Sequence, residues 1–301
     1  MLSFLPAPLK GALAFLLICL NTIILVPALM LLTLLKLLFP ILTWQKWMTA
    51  GCIVVAEVWQ ANNRRTVELV NPIQVDLMGA EGLHYHGWYL VSCNHQSWSD
   101  ILILQHVFNR KIPMLKFFLK QELIWVPLLG VAWWALDFPF MKRYSKSFLE
   151  KHPELKGKDL ETTKKACEKF KRIPVSVMNF LEGTRFTHQK QKAQQSPYQH
   201  LLKPKTGGVA FVLSAMGGQL RSMLDVTIVY HDDDIGFWDL LSGRTRHVSV
   251  HVTERQIPEG FSAGDYENDA QFRAEIQDWV SGIWVEKDRL IGSIKAQSTT
   301  T

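Results

Sequence analysis

Two short segments of this 301-residue chain carry the side chains best suited to chemistry. The first is Asn94-His95-Gln96-Ser97-Trp98-Ser99-Asp100. His95 follows an apolar run, Trp88–Cys93, and Asp100 lies five residues on, near the start of a helical pattern over Ser97–Phe108 with Ser97 as its N-cap. A turn and a half of chain brings the Asp100 carboxylate back toward the imidazole. A carboxylate on one ring nitrogen holds the tautomer and leaves the other nitrogen as a base. The second segment is Phe180-Leu181-Glu182-Gly183-Thr184-Arg185, again directly after an apolar run, Val175–Phe180. Gly183 lets the backbone approach a ligand closely. Thr184 and Arg185 can hydrogen-bond a phosphate, Arg by its planar fork. Glu182 could orient Arg185 or a substrate hydroxyl. Either segment alone is compatible with a plain structural role, an ordinary histidine or a turn with an ion pair. Ser97 and Ser99 lie near His95, but neither sits in a Gly-x-Ser-x-Gly elbow, so a serine nucleophile is the weaker reading.

The elements that must hold these segments alternate. Ile73–Met78, Trp88–Cys93, Val175–Phe180 and Leu224–Val229 read as strands, and Val248–Val252 reads as an edge strand. Ser97–Phe108, Glu161–Phe170 and Lys205–Met216 read as helices, and Gln189–Gln199 as a polar loop. Phe272, Ile276, Trp279, Val280, Ile283 and Trp284 form the apolar stripe of a C-terminal amphipathic helix. The pattern predicts an α/β fold, a mixed sheet flanked by helices, over residues 67–292, followed by a disordered tail over 293–301.

Ahead of that domain, residues 1–66 read as a membrane-embedded helical anchor. Gly11–Leu35 is free of charge for 25 residues between Lys10 and Lys36, and roughly 20 apolar residues span a bilayer core. Pro27 divides the run into halves of about 11–26 and 28–42, so a helical hairpin in one leaflet competes with a single span. The run is too long for the apolar region of a signal peptide. Trp44, Trp47 and Trp59, with Lys46, Arg64 and Arg65, read as interfacial anchors.

The net charge of +6 is uneven: residues 142–205 hold 16 Lys and Arg against 6 Asp and Glu. That suits anionic lipid, a phosphorylated substrate or nucleic acid. Nucleic-acid recognition motifs are absent, and no nucleic acid is expected. Four scattered cysteines have neither zinc nor redox spacing and suggest a reduced, cytoplasm-facing protein. His84, His86 and His95 raise a metal hydrolase, but no third ligand set or His-Glu-x-x-His helix accompanies them, so no metal is expected.

Together, His95-x4-Asp100 and Glu182-Gly183-Thr184-Arg185 resemble motifs of the glycerolipid acyltransferases, which include the lysophosphatidic acid acyltransferases. Lys120-Gln121-Glu122-Leu123 with Pro127 and Gly130 resembles the segment before that family's second motif, and Phe140-Met141-Lys142-Arg143 resembles the motif itself. Lys205-Thr206-Gly207-Gly208 resembles the segment after the third motif, so the likeness covers residues 85–230 in order. Leu181 replaces the family's usual proline, Val226–Val229 lacks another, and the second motif lacks its opening glycine. The resemblance implies acyl transfer without an acyl-enzyme, from acyl-CoA or acyl-carrier protein as co-substrate, with no cofactor. It implies His95 and Asp100 as catalytic residues. Arg143, Glu182, Gly183, Thr184, Arg185, Lys120 and Lys205 would bind substrate. Lysophosphatidic acid leads as acceptor, followed by another anionic lysophospholipid such as lysophosphatidylglycerol, then glycerol 3-phosphate. Similarity to the bacterial enzymes implies an inner-membrane protein with its catalytic domain toward the cytoplasm and membrane lipids as partners.

Overall fold

The computed structural model describes residues 4–142, 173–220, 222–232 and 235–298, together with 2, 152, 165, 167, 168, 170 and 171. Helices α1 (Ala7–Leu38) and α2 (Leu42–Val70) precede a six-stranded mixed sheet. Its strands are β1 (Gln74–Met78), β2 (Trp88–Cys93), β3 (Leu115–Phe117), β6 (Val175–Phe180), β7 (Ser222–Tyr230) and β8 (His247–Gln256), in the order β1-β8-β7-β2-β6-β3. Strands β4 (Leu119–Lys120) and β5 (Phe140–Met141) pair separately. The remaining helices are α3 (Ser99–Phe108), α4 (Leu129–Ala135), α5 (His188–Ala193), α6 (Gly207–Met216), α7 (Phe237–Ser242) and α8 (Ala270–Ser298).

The expected α/β architecture, a mixed sheet flanked by helices, is what the chain adopts. Strand β2 runs parallel to β6 and β7, with Cys93 level with Phe180 and Val226. All nine residues of β7 are buried, as a strand covered on both faces requires. One core forms where α6 and α8 cover the sheet, with Val209, Leu213, Val280 and Trp284 in its centre. A second lies under α3 and α7 and takes in Ala14 of α1.

Several boundaries differ from the sequence reading. Strand β8 is interior, antiparallel to β7 and parallel to β1. The alternation of Val248–Val252 suggested an edge, but its polar members Ser249 and His251 pair with Asp76 and Met78 of β1, and only Thr253, Glu254 and Gln256, past β1, are exposed. The polar stretch read as a loop folds its first turn into α5, with Thr187 as N-cap. Helix α8 continues to Ser298, so residues 293–298 are helical where a disordered tail was expected. Helix α3 begins at Ser99, two residues later than read. Most of the Glu161–Phe170 helix reading lies outside the described residues.

The N-terminal helices also depart from the expected break. Helix α1 runs unbroken through Pro27, and the chain reverses instead at residues 39–41. Pro40 explains this, since the residue before a proline is biased to extended backbone, and Phe39 has φ −120° and ψ 101°. Helix α1 is long and apolar enough to cross a membrane by length and composition. Yet Gly11, Ala14, Thr22, Val26, Leu29 and Thr33 form a buried stripe along its length, facing α7, α2 and α4. Leu16, Leu20, Ile23, Ile24, Leu31 and Leu34 are exposed. In mid-helix, Asn21 donates to the Trp59 carbonyl and Asn63, and Trp59 Nε1 donates to Thr22. Trp59 is therefore engaged within the helix pair, whereas Trp47 is exposed.

Candidate active site

Parallel strands β2 and β6 end level with each other, so the two chemistry-bearing segments leave the sheet side by side at its carboxyl edge, where open α/β sheets place their ligand crevice. Asn94 extends β2 by one residue in side-chain form. Its amide donates to the Ile228 carbonyl and accepts from the Ile228 N–H at 2.9 and 2.8 Å. The next residue, His95, is thereby aimed past the sheet edge.

Asp100 is fully buried at the start of α3. Its Oδ2 lies 2.8 Å from His95 Nδ1 and accepts from the backbone N–H groups of Gln96 and Ser97 at 2.7 and 3.0 Å. Its Oδ1 accepts from the Tyr230 hydroxyl at 2.7 Å. The carboxylate is thus satisfied on both oxygens, as a buried charge must be. Burial and the neighbouring Asp100 push the Tyr230 phenol well above its ordinary range, so it stays a donor. With Nδ1 turned to Asp100, the imidazole presents Nε2 to the crevice, and its ring stacks on Phe180 at 4.0 Å. Ser97 and Ser99 donate their hydroxyls to the Ile235 and Gly236 carbonyls. Those bonds anchor the following loop and take both serines out of contention as nucleophiles.

Glu182 differs from its sequence reading. It is fully buried, and it accepts from His95 N at 2.8 Å and Leu202 N at 3.1 Å, so it holds the backbone of His95 rather than orienting Arg185 or a ligand hydroxyl. Burial is the main cause that lifts its carboxyl to about 7, against the lowering effect of those two bonds. The Phe186 N–H donates to the His95 carbonyl at 2.7 Å. Both backbone groups of His95 are therefore tied to the Glu182–Phe186 turn. Gly183 sits at φ +68°, where a side chain is strained, and the Lys205 ammonium lies 3.1 Å from where its Cβ would be.

His95, Lys120, Gly183, Thr184 and Arg185 all line one cavity of about 600 Å³, within the usual size of small-molecule sites, about 300–1,000 Å³. Its walls are apolar and come from α1, α2 and α4, including Val26, Leu29, Ala56, Trp59 and Ala132. The Arg185 guanidinium stacks over the Trp98 ring at 5.2 Å. Lys205 stands behind Gly183, outside the cavity lining. Arg143 lies outside the described residues. Among the described residues no three His, Cys, Asp or Glu side chains converge as metal ligands. The sequence reading missed Tyr230, Trp98 and Lys190, whose Nζ donates to Thr184 Oγ1 and the Arg185 carbonyl at 2.8 and 2.9 Å. It also missed that the N-terminal helices wall the site. The one available signal was Lys190, five residues beyond Arg185 in a stretch otherwise read as loop.

Known proteins share these features. The family model described as Acyltransferase matches residues 74–231. An uncharacterized acyltransferase of Saccharomyces cerevisiae is 23% identical over 277 residues, covering 80% of this chain and 67% of that one. The 1-acyl-sn-glycerol-3-phosphate acyltransferase 3 of Arabidopsis thaliana is 24% identical over 215 residues, 66% of this chain and 51% of that one. The gamma enzyme of the same name from Mus musculus is 24% identical over 186 residues, 58% and 44% of the two chains. The chain thus spans about half the length of the latter two relatives. The crystal structure of PlsC, the 1-acyl-sn-glycerophosphate acyltransferase of Thermotoga maritima, shares the fold, with a TM-score of 0.58 at 18% identity over 96% of this chain and 98% of that one. With the matched region covering both chemistry-bearing segments, the chain belongs to the acyltransferase family, and within it resembles the lysophosphatidic acid acyltransferases.

Proposed function

We propose that this enzyme moves a fatty acyl group from acyl-CoA or acyl-carrier protein to the sn-2 hydroxyl of lysophosphatidic acid, giving phosphatidic acid. One observation carries the reading: an imidazole held by a buried carboxylate opens into an apolar cavity whose rim bears Arg185 and Lys120. In the step proposed, His95 Nε2 takes the proton of the acceptor hydroxyl as its oxygen attacks the thioester carbonyl. A C–O bond forms, the tetrahedral intermediate collapses with loss of the C–S bond, and His95 returns the proton to the departing thiolate. Asp100 stabilises the imidazolium between those events. Arg185 and Lys120 hold the acceptor phosphate, and the apolar walls take the acyl chain. Glu182 acts through the backbone of His95 and is a positioning residue. No cofactor enters this scheme.

The bare apolar face of α1 and the exposed turn at Leu37, Leu38, Phe39, Ile41 and Leu42 support membrane attachment. Because the opposite face of α1 is docked along its length, the reading is a helix pair lying in one leaflet, at the inner membrane with the sheet toward the cytoplasm. Such an enzyme meets its amphiphilic substrates where they reside. The test is purified full-length protein given labelled acyl-CoA or acyl-carrier protein and a panel of lysophospholipids. Transfer to lysophosphatidic acid, abolished in His95→Ala, is expected. Activity retained in that variant, or transfer to none of the panel, would defeat the proposal.

A further inference from the structure

Three cations surround the Gly183–Arg185 turn. Thr187 accepts from the backbone N–H of Lys190 at 3.2 Å and so starts α5 directly after the turn. The half-buried Lys190 side chain folds back over it and donates to Thr184 Oγ1 and the Arg185 carbonyl. An ammonium has three donors, and these bonds use two. Lys205 approaches the same turn from the other side, across Gly183. Arg185 lies on Trp98 at the cavity rim. None of the three forms an ion pair among the described residues. Lys190 and Arg185 thus bring positive charge to a turn whose Thr184 and Arg185 line the cavity, which favours an anion there. The turn is also one backbone hydrogen bond from His95, through Phe186 N and through Glu182. An anion held at this turn borders the same cavity that His95 lines.

We propose that Lys190 is a specificity-determining residue. Beside Arg185 and Lys120, the cavity cations given to the acceptor phosphate above, it makes the subsite prefer an acceptor ending in a phosphomonoester dianion over one with a phosphodiester monoanion. The inference rests on the acyl-transfer reading above and goes beyond it by assigning the choice of headgroup to a residue outside the motif. A monoester has a second ionisation near pH 6 and three terminal oxygens. It can take the free Lys190 donor and the Arg185 fork together. A diester offers one charge and two such oxygens.

The test uses the full chain with Lys190→Met and Lys190→Arg, assayed with lysophosphatidic acid and lysophosphatidylglycerol between pH 5.5 and 8. At pH 8, Lys190→Met should raise KM for lysophosphatidic acid by about 10- to 100-fold, the worth of one charge-assisted hydrogen bond. KM for the diester should change by less than about threefold, kcat should be kept on both, and Lys190→Arg should recover part of the loss. The wild-type KM for the monoester should fall as pH rises through about 6, and Lys190→Met should flatten that fall. Equal losses on both acceptors would make Lys190 a structural support of the turn and overturn the proposal. A rise in KM for acyl-CoA alone would give these charges to the phosphates of the donor and overturn it as well. Equilibrium binding of the same two lipids, measured in detergent micelles, separates this inference from the reading beneath it. If the wild type acylates neither lipid, a binding preference for the monoester that Lys190→Met erases still supports the subsite, and no preference refutes it.

Discussion

Replacing Asp100 by asparagine isolates the charge of the carboxylate from its geometry. Three donors converge on Oδ2: His95 Nδ1 and the backbone N–H groups of Gln96 and Ser97. An asparagine must keep its carbonyl there, because the flipped amide would turn its NH₂ on two N–H groups. The amide then faces Tyr230, whose hydroxyl can accept as well as donate. The imidazole consequently keeps its tautomer and orientation and loses only the negative charge beside it. The charged bond is worth about 1.5–3 kcal/mol, so kcat should fall by about 10- to 100-fold. In catalytic triads where the asparagine reverses the tautomer, the loss is about 10⁴-fold. Asp100→Ala should lose more, because it strands three buried donors at about 1–3 kcal/mol each. The assay is single-turnover transfer from a labelled acyl thioester over a pH series, with thermal unfolding alongside. A variant as inactive as His95→Ala, or one as active as the wild type, would refute this account of the pair.

Other predictions follow from the same site. Burial raises the Glu182 carboxyl from 4.5 to about 7, so the protonated form suits the fold. Its stabilising contribution is complete below about pH 4.5 and is lost as pH rises through about 7, on the order of 3 kcal/mol. Glu182→Gln should remove that slope, and urea midpoints of variant and wild type that run parallel from pH 4 to 8 would contradict it. Tyr230→Phe removes the donor from Asp100 Oδ1 and leaves that carboxylate more attractive to the imidazolium. The loss of that bond should lower kcat by less than Asp100→Asn does, and an unchanged kcat with a lower melting temperature would make Tyr230 merely structural. Ala132→Phe fills part of the cavity wall on α4. Competition between long and short acyl donors should shift toward the shorter, and an unaltered preference would exclude this wall from chain measurement.

What the sequence made legible was local. His95 and Asp100 are five residues apart and meet within one element boundary, and the apolar runs before His95 and Glu182 mark strands plainly. What stayed hidden comes from distant pairings. Tyr230 reaches Asp100 across 130 positions and Glu182 reaches His95 N across 87, and neither leaves a mark in spacing. Glu182 was read as a polar group facing a ligand because a charged residue is seldom fully buried, and two backbone N–H groups distant in sequence, those of His95 and Leu202, supply the compensation. Strand β3, three residues long, is too short to show a period. Pro27 suggested a break by its chemistry, but a packed helix tolerates one lost bond. The actual reversal is set by Pro40, where the backbone must already be extended.

The cavity walls contributed by α1 and α2 bear on a competition between nucleophiles. A thioester held in an open groove would meet water at tens of molar, far above any lipid hydroxyl. Val26, Leu29, Ala56 and Trp59 close the side of the cavity that the sheet leaves bare. If Leu29 and Ala56 were replaced by serine, the His95–Asp100 pair would remain with a wettable wall beside it. Such a variant should hydrolyse acyl thioesters faster relative to lipid acylation. The partition between free fatty acid and acylated lipid would then measure how well α1 and α2 keep the reaction dry.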